Sequence, residues 1–97
     1  MLFAMICTDK PDSLDLRMET RPQHVAYLDG LNERGVLKIA GPFLDADGKP
    51  CGSLVIVEAM DMYAAREIAD ADPYAKAGLF AQVDIRPYNW VFNNPGA

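Results

Sequence analysis

His24 and the turn Asp72-Pro73-Tyr74 hold most of the chemistry this 97-residue sequence can offer. His24 follows a helix-start signal, Arg21-Pro22, and at about 100° per residue it projects among Val25, Leu28 and Leu31. Asp72, continued on the wheel of the preceding helix, falls on that helix's apolar side. Two ionisable groups aimed inward from two helices make either a hydrogen-bonded core pair or a small active site. A neutral imidazole is a competent general base, and the positive end of a helix dipole favours the neutral ring. Asp72 is the carboxylate best placed to orient it. The plainer alternative is a core histidine bonded to a backbone carbonyl, beside an Asp-Pro turn whose carboxylate takes N–H groups two residues on. A single histidine without a second ligand-type neighbour makes no case for a metal.

Four further residues are candidate ligand contacts. Arg17 and Arg21 lie four apart and lead into His24. They fit an anion clamp, or a solvated face paired with Asp15 and Glu19. Tyr74 adjoins Asp72, and Ser53 opens a strand after Gly52. A nucleophilic Ser53 is disfavoured because no nucleophile-elbow motif surrounds it. Asp45-Ala46-Asp47-Gly48 looks like a calcium loop, but with Gly48 at its sixth position the first and twelfth would be Phe43 and Leu54, which cannot ligate. Cys7 and Cys51 match neither a C-x-x-C nor a zinc spacing, so free, inert thiols are expected.

The elements that must position these groups follow from pattern and punctuation. Leu2–Cys7 is a continuous apolar run, as in a strand covered on both faces. Asp12 or Ser13 is placed to cap a short helix ending near Glu19, and Pro22 to start a second helix ending at Arg34, with Gly35 its left-handed stop. Val36–Phe43 reads as a strand with Leu37 and Ile39 on one side and Lys38 on the other, its regular pairing ended by Gly41-Pro42. A polar turn with Asp47-Gly48 leads to the strand Gly52–Ala59. Asp61 caps a helix from Met62 to about Ala71, with Met62, Ala65, Ile68 and Ala69 inward. Phe80–Arg86 alternates with Ala81, Val83 and Ile85 inward, and Pro87 is expected to interrupt the ladder before an aromatic tail with Tyr88, Trp90 and Phe92. The order β-α-β-β-α-β predicts an α+β, ferredoxin-like fold: a four-stranded antiparallel sheet with both helices on one face. The opposite face also carries apolar residues, and a second copy of the chain, with the aromatic tail packed on it, is the expected cover.

Composition narrows the partners. The length suits one domain, and a lone copy buries only ~60–70% of its unfolded surface, which a dimer would relieve. Net charge is −5 with no basic stripe, which argues against nucleic acid and anionic membranes. No run approaches the ~18 apolar residues of a membrane span, and the first residues lack a signal peptide's basic flank, so a cytoplasmic location is expected.

Arg21-Pro22-x-His24, Ala40-Gly41-Pro42, Gly52-Ser53 and Ala71-Asp72-Pro73-Tyr74 with Ala77-Gly78 together resemble the YCII-related (YciI-like) domain family. The resemblance covers nearly the whole chain and implies a single such domain over residues 1–97. It implies a dimeric α/β-barrel architecture related to the muconolactone isomerase fold. It also implies a pocket between helices and sheet where the family's His and Asp meet, at positions matching His24 and Asp72. Some relatives act as dehydrochlorinases on hydroxylated aromatics. Two functions follow as expectations. One is a cofactor-independent enzyme in which His24 moves a proton on a cyclic or aromatic-derived substrate, with Asp72 orienting it and Arg21 holding an anion, in elimination, isomerisation or lactone chemistry. The other is a non-catalytic dimeric small-ligand binder or accessory protein, in which the pair is dry and structural.

Overall fold

The apolar run at the start of the sequence becomes β1, Leu2–Asp9, an inner strand of the sheet. The structure, a computed structural model, describes residues 1–96. After β1 come α1 (Leu14–Glu33), β2 (Leu37–Leu44), β3 (Pro50–Glu58), α2 (Met62–Ala71), the single turn α3 (Pro73–Lys76) and β4 (Phe80–Tyr88). The strands lie in the order β2-β3-β1-β4, and all neighbours are antiparallel. This is the expected βαββαβ arrangement, with α3 added.

Strand alternation sends Phe3, Met5 and Cys7 to one face, where they meet Val55, Val57 and Ile85. Ala65 and Ala69 of α2 complete this core, and their small side chains let the helix lie close to the sheet. A fully buried Phe or Val such as Phe3 or Val57 contributes roughly 1.5–3 kcal/mol. The other face carries Ala4, Ile6, Leu54 and Ile56, paired in register across β1 and β3. Ala4 and Ile56 at its centre are buried, whereas Ile39 and Phe43 toward the β2 edge are exposed.

Several local expectations give way to tertiary context. The two predicted helical segments are one 20-residue helix that runs through Pro22. Pro22 has no N–H to give the Met18 carbonyl, a loss that costs about 3 kcal/mol in a helix interior. Anchored side chains on both sides of it, Arg17 and His24, hold the two halves in line. His24 therefore lies mid-helix, and the dipole argument for its neutral form does not apply. Ser13 occupies the N-cap position, but its hydroxyl donates to the Pro11 carbonyl at 3.2 Å instead of capping. The C-terminus does follow the sequence. Gly35 has φ 72, and Gly35 N–H and Val36 N–H donate to the Asn32 and Leu31 carbonyls, a Schellman ending.

In the sheet, Pro42 and Pro87 do not end pairing: Pro42 is opposite Ser53, and Pro87 is opposite Phe3. Both lie on edge strands, where a missing N–H is harmless if it faces outward. A bulge between Leu37 and Ile39 turns Leu37 to the helix-covered core and Ile39 to the other face, against the expectation that they share a side. A second irregularity pairs Phe80 with Asp9, so Phe80 packs on the core and Ala81 is exposed. Met62 is also more exposed than its helical wheel predicts. Among the described residues no helix is long and apolar enough to cross a membrane.

A Cβ on Gly52 would lie 2.5 Å from the Cys7 carbonyl oxygen, a backbone atom with no room to move. Gly52→Ala should destabilise by about 1–3 kcal/mol in urea unfolding, and a change below 0.5 kcal/mol (roughly the scatter of neutral surface substitutions) would refute the close approach. Burial, reinforced by the Asp72 and Asp9 carboxylates, pushes the Cys7 thiol from 9.0 up to about 12. The unfolded thiol therefore ionises before the folded one, and this contribution to stability is lost as pH rises from about 9 toward 12. Exposed Cys51 should react with a thiol reagent at pH 8 in the native protein, while Cys7 should react only on unfolding.

Candidate functional site

The site grows from one face of α1. Arg17, Arg21, His24 and Leu28 follow one another at steps of four, three and four residues, so they share a stripe along the helix. That stripe faces Ala40 and Pro42 of β2 and Ser53 and Val55 of β3 across a cavity of about 380 Å³. Tyr74 of α3 lines it as well, and Met18 and Val25 complete its apolar rim.

Asp72 reaches His24 from the joint between α2 and α3. It closes α2 and caps α3, accepting the Tyr74 N–H at 2.9 Å. Pro73 keeps Asp72 extended, at φ −62 and ψ 130, so the carboxylate turns back toward α1. Its oxygens lie 2.9 and 3.0 Å from His24 Nδ1. Both sequence readings of Asp72 therefore hold: it makes the helix-terminating turn and it meets the histidine. His24 and Asp72 are each 7% exposed. Nε2 of His24 has no protein partner among the described residues, and it is not among the sealed, unpaired polar atoms. It is the ring nitrogen open to the cavity that His24 lines.

Arg17 departs from expectation. It is buried and does not pair with Asp15 or Glu19, nor does it project freely as a ligand clamp. Its Nε donates to Asp9 Oδ2 at 2.8 Å, and Nη2 donates to the Gly52 carbonyl at 2.6 Å and to Ser53 Oγ at 2.5 Å. Burying a guanidinium is costly unless its charge is paired and its donors are used, and these partners supply the counter-charge and take three of its five N–H donors. Arg17 also lies over the Tyr74 ring, 4.7 Å from its centroid. Tyr74 in turn stacks on His24, with ring centroids 3.9 Å apart and planes at 15°. Burial pushes the Tyr74 phenol up from its ordinary value, and the Arg17 guanidinium opposes that shift. Arg21 remains exposed at the cavity mouth and makes no ion pair among the described residues.

Five of the six candidate residues line one cavity and Asp72 stands behind His24, with Arg17 forming the frame and Arg21 the free cation. Sequence reasoning missed Asp9, whose only signal was a carboxylate at the end of an apolar strand. It also missed Tyr27, whose hydroxyl donates to the Ile68 carbonyl at 2.8 Å and ties α1 to α2. Among the described residues no cluster of side chains is suited to a metal.

Comparison with known proteins bears on the fold and the family. The chain is 40% identical to Protein YciI of Escherichia coli O6:H1, over 95% of this chain and all of that one. It is similar to the structure of 5-chloro-2-hydroxyhydroquinone dehydrochlorinase from Burkholderia phenoliruptrix AC1100 in complex with 2,5-dihydroxybenzoquinone. The TM-score is 0.86 at 32% identity, covering 97% of this chain and 99% of that one. An antibiotic biosynthesis monooxygenase shares the fold alone, with a TM-score of 0.54 at 15% identity over 94% of this chain and 99% of that one. The model of the YCII-related domain matches residues 1–89, and the chain belongs to that family.

Proposed function

We propose that the chain is a cofactor-independent enzyme that moves a proton on a small cyclic or aromatic-derived substrate. His24 is the acid/base and Asp72 orients it. The observation that carries this reading is the Asp72 carboxylate on His24 Nδ1, with Nε2 left open at the cavity. With the Nδ1 proton directed at Asp72, the lone pair of the neutral ring lies on Nε2. A substrate hydroxyl or acidic C–H brought there gives its proton to Nε2. The electron pair left behind expels a leaving group such as chloride in an elimination, or takes a proton at another carbon in an isomerisation. Asp72 stabilises the imidazolium formed, and Arg21 at the mouth offers a cation to an anionic substituent.

The size of the site supports a one-ring substrate, because about 380 Å³ lies near the lower end of the ~300–1,000 Å³ usual for ligand pockets. The dehydrochlorinase likeness supports elimination on a hydroxylated ring. A second reading, a non-catalytic ligand binder or accessory protein, draws on the burial of the pair, since His24 and Asp72 also satisfy each other. The proposal extends to a single YCII-related unit over residues 1–97, in the cytoplasm, paired as a homodimer. Its two cysteines are free, as a reducing compartment keeps them. Exposed Ile39 and Phe43 on the uncovered sheet face support the dimer.

Chloride release from 5-chloro-2-hydroxyhydroquinone is the direct assay. His24→Gln should lower kcat by about 10²–10⁴-fold with the melting temperature within a few degrees of wild type. Ligand binding without turnover, across this compound and enolisable lactones, would favour the binder instead. For the assembly, sedimentation should give a dimer that Phe43→Glu dissociates. A wild-type monomer at tens of micromolar would overturn that part.

A further inference from the structure

Ser53 is almost sealed, 3% exposed, yet it lines the cavity that His24 opens onto. Its hydroxyl oxygen is occupied by Arg17 Nη2 at 2.5 Å, a donor that carries full charge. Arg17 is held there from two other directions, by Asp9 Oδ2 and by the Gly52 carbonyl. A guanidinium has only donors, so Ser53 can offer it nothing but the oxygen lone pair. The hydroxyl proton is therefore left over, and among the described residues no protein acceptor takes it. The open space beside it is the cavity.

We propose that Ser53 is a catalytic hydrogen-bond donor to the oxyanion that develops on the substrate, and that Arg17, held by Asp9, is a positioning residue acting through it. This rests on the reading of the cavity as a proton-transfer site and assigns the group that receives the negative charge. When His24 takes a proton from one atom of a conjugated ring, the electron pair left behind spreads through the ring and charge gathers on an oxygen at its far side. A hydroxyl already polarised by a cation is a stronger donor to that oxygen than a free serine. It also needs no reorganisation as the charge appears, because Arg17 fixes its rotor beforehand. Arg21, exposed at the mouth, acts on peripheral substituents, whereas Ser53 is buried on the sheet wall that faces the α1 stripe carrying His24. The charged and titratable groups around it are Arg17, Arg21 and His24 of α1, Asp9 and Cys7 of β1, and Asp72 and Tyr74 at the α2–α3 joint.

The test is a binding comparison with two single-ring probes, 2,5-dihydroxybenzoquinone, an anion at neutral pH, and hydroquinone, which is uncharged. Affinities are read by calorimetry on the intact chain. Ser53→Ala should weaken the anion by about tenfold or more, the worth of a hydrogen bond to a charged group, and leave hydroquinone within about twofold. Arg17 alone cannot be removed safely, because Asp9 would be stranded. The double variant Asp9→Leu/Arg17→Met removes both charges together and should reproduce the anion-selective loss. Adding Ser53→Ala to it should then cost little more, the non-additivity expected of residues acting in series. Equal weakening of both probes would make the role structural and overturn the proposal. An anion affinity untouched by Ser53→Ala would overturn it with the proton-transfer site intact. Failure of the wild type to bind the anion would instead remove the reading of the cavity, and the donor with it.

Discussion

The buried Arg17 guanidinium is the constraint around which the site is organised. Its side chain is 5% exposed, and a charge placed there is tolerated only if its donors are answered. The answers come from three elements. Asp9 ends β1, Gly52 and Ser53 begin the buried part of β3, and the Tyr74 ring of α3 lies against the cation. Satisfying one side chain therefore fixes the N-terminal half of α1 against the sheet and α3 against α1. The register of β1 with β3 brings Cys7 opposite Ser53, next to the Thr8–Gly52 pair. The tight passage of Gly52 over the Cys7 carbonyl follows from the same docking.

Asp72 does a comparable job at the other end of the cavity. One of its oxygens caps α3 through the Tyr74 N–H, and the pair together face His24 Nδ1. The α2–α3 joint is thus a local turn and a support of the candidate site at once. Because Tyr74 both receives the cap and stacks on His24, the imidazole is held by its ring face and by its edge. A ring held in this way keeps its tautomer and its direction, which an acid/base needs more than it needs an unusual environment.

The fold was legible because its signals were local and mutually consistent. The apolar run of β1, the Gly35 stop, the Asp61 cap at 2.8 Å and the Asp47-Gly48 turn all stand where sequence placed them. The unbroken α1 was not legible, because its inward face carries Arg17 and His24 in place of aliphatic residues. This blurs the apolar period, while Pro22 supplies a false boundary. The two strand prolines misled for a different reason: whether a missing N–H matters depends on which strands are edges, and single residues do not report that. In the site, the His24–Asp72 meeting was readable from helical direction. The Asp9–Arg17–Ser53 chain was not, because its members are separated by 8 and 36 residues and only the sheet register joins them.

The same contrast explains why architecture says so little about the reaction. A monooxygenase at 15% identity has this fold, so the sheet and helices alone impose no chemistry. What distinguishes this chain is where it places polar groups within an otherwise apolar cavity. The Asp72 carboxylate governs one nitrogen of His24, and the Arg17 guanidinium governs the oxygen of Ser53. Each pairing leaves one unspent valence facing the cavity, a lone pair on Nε2 and a proton on Oγ. A proton acceptor and a proton donor on opposite walls are complementary to a substrate that loses a proton at one atom and gathers charge at another. The apolar rim of Met18, Val25 and Pro42 then limits which rings can present those atoms. In the reaction proposed for this site, specificity comes from shape, while the direction of proton movement is set by the two buried ionic partners behind it.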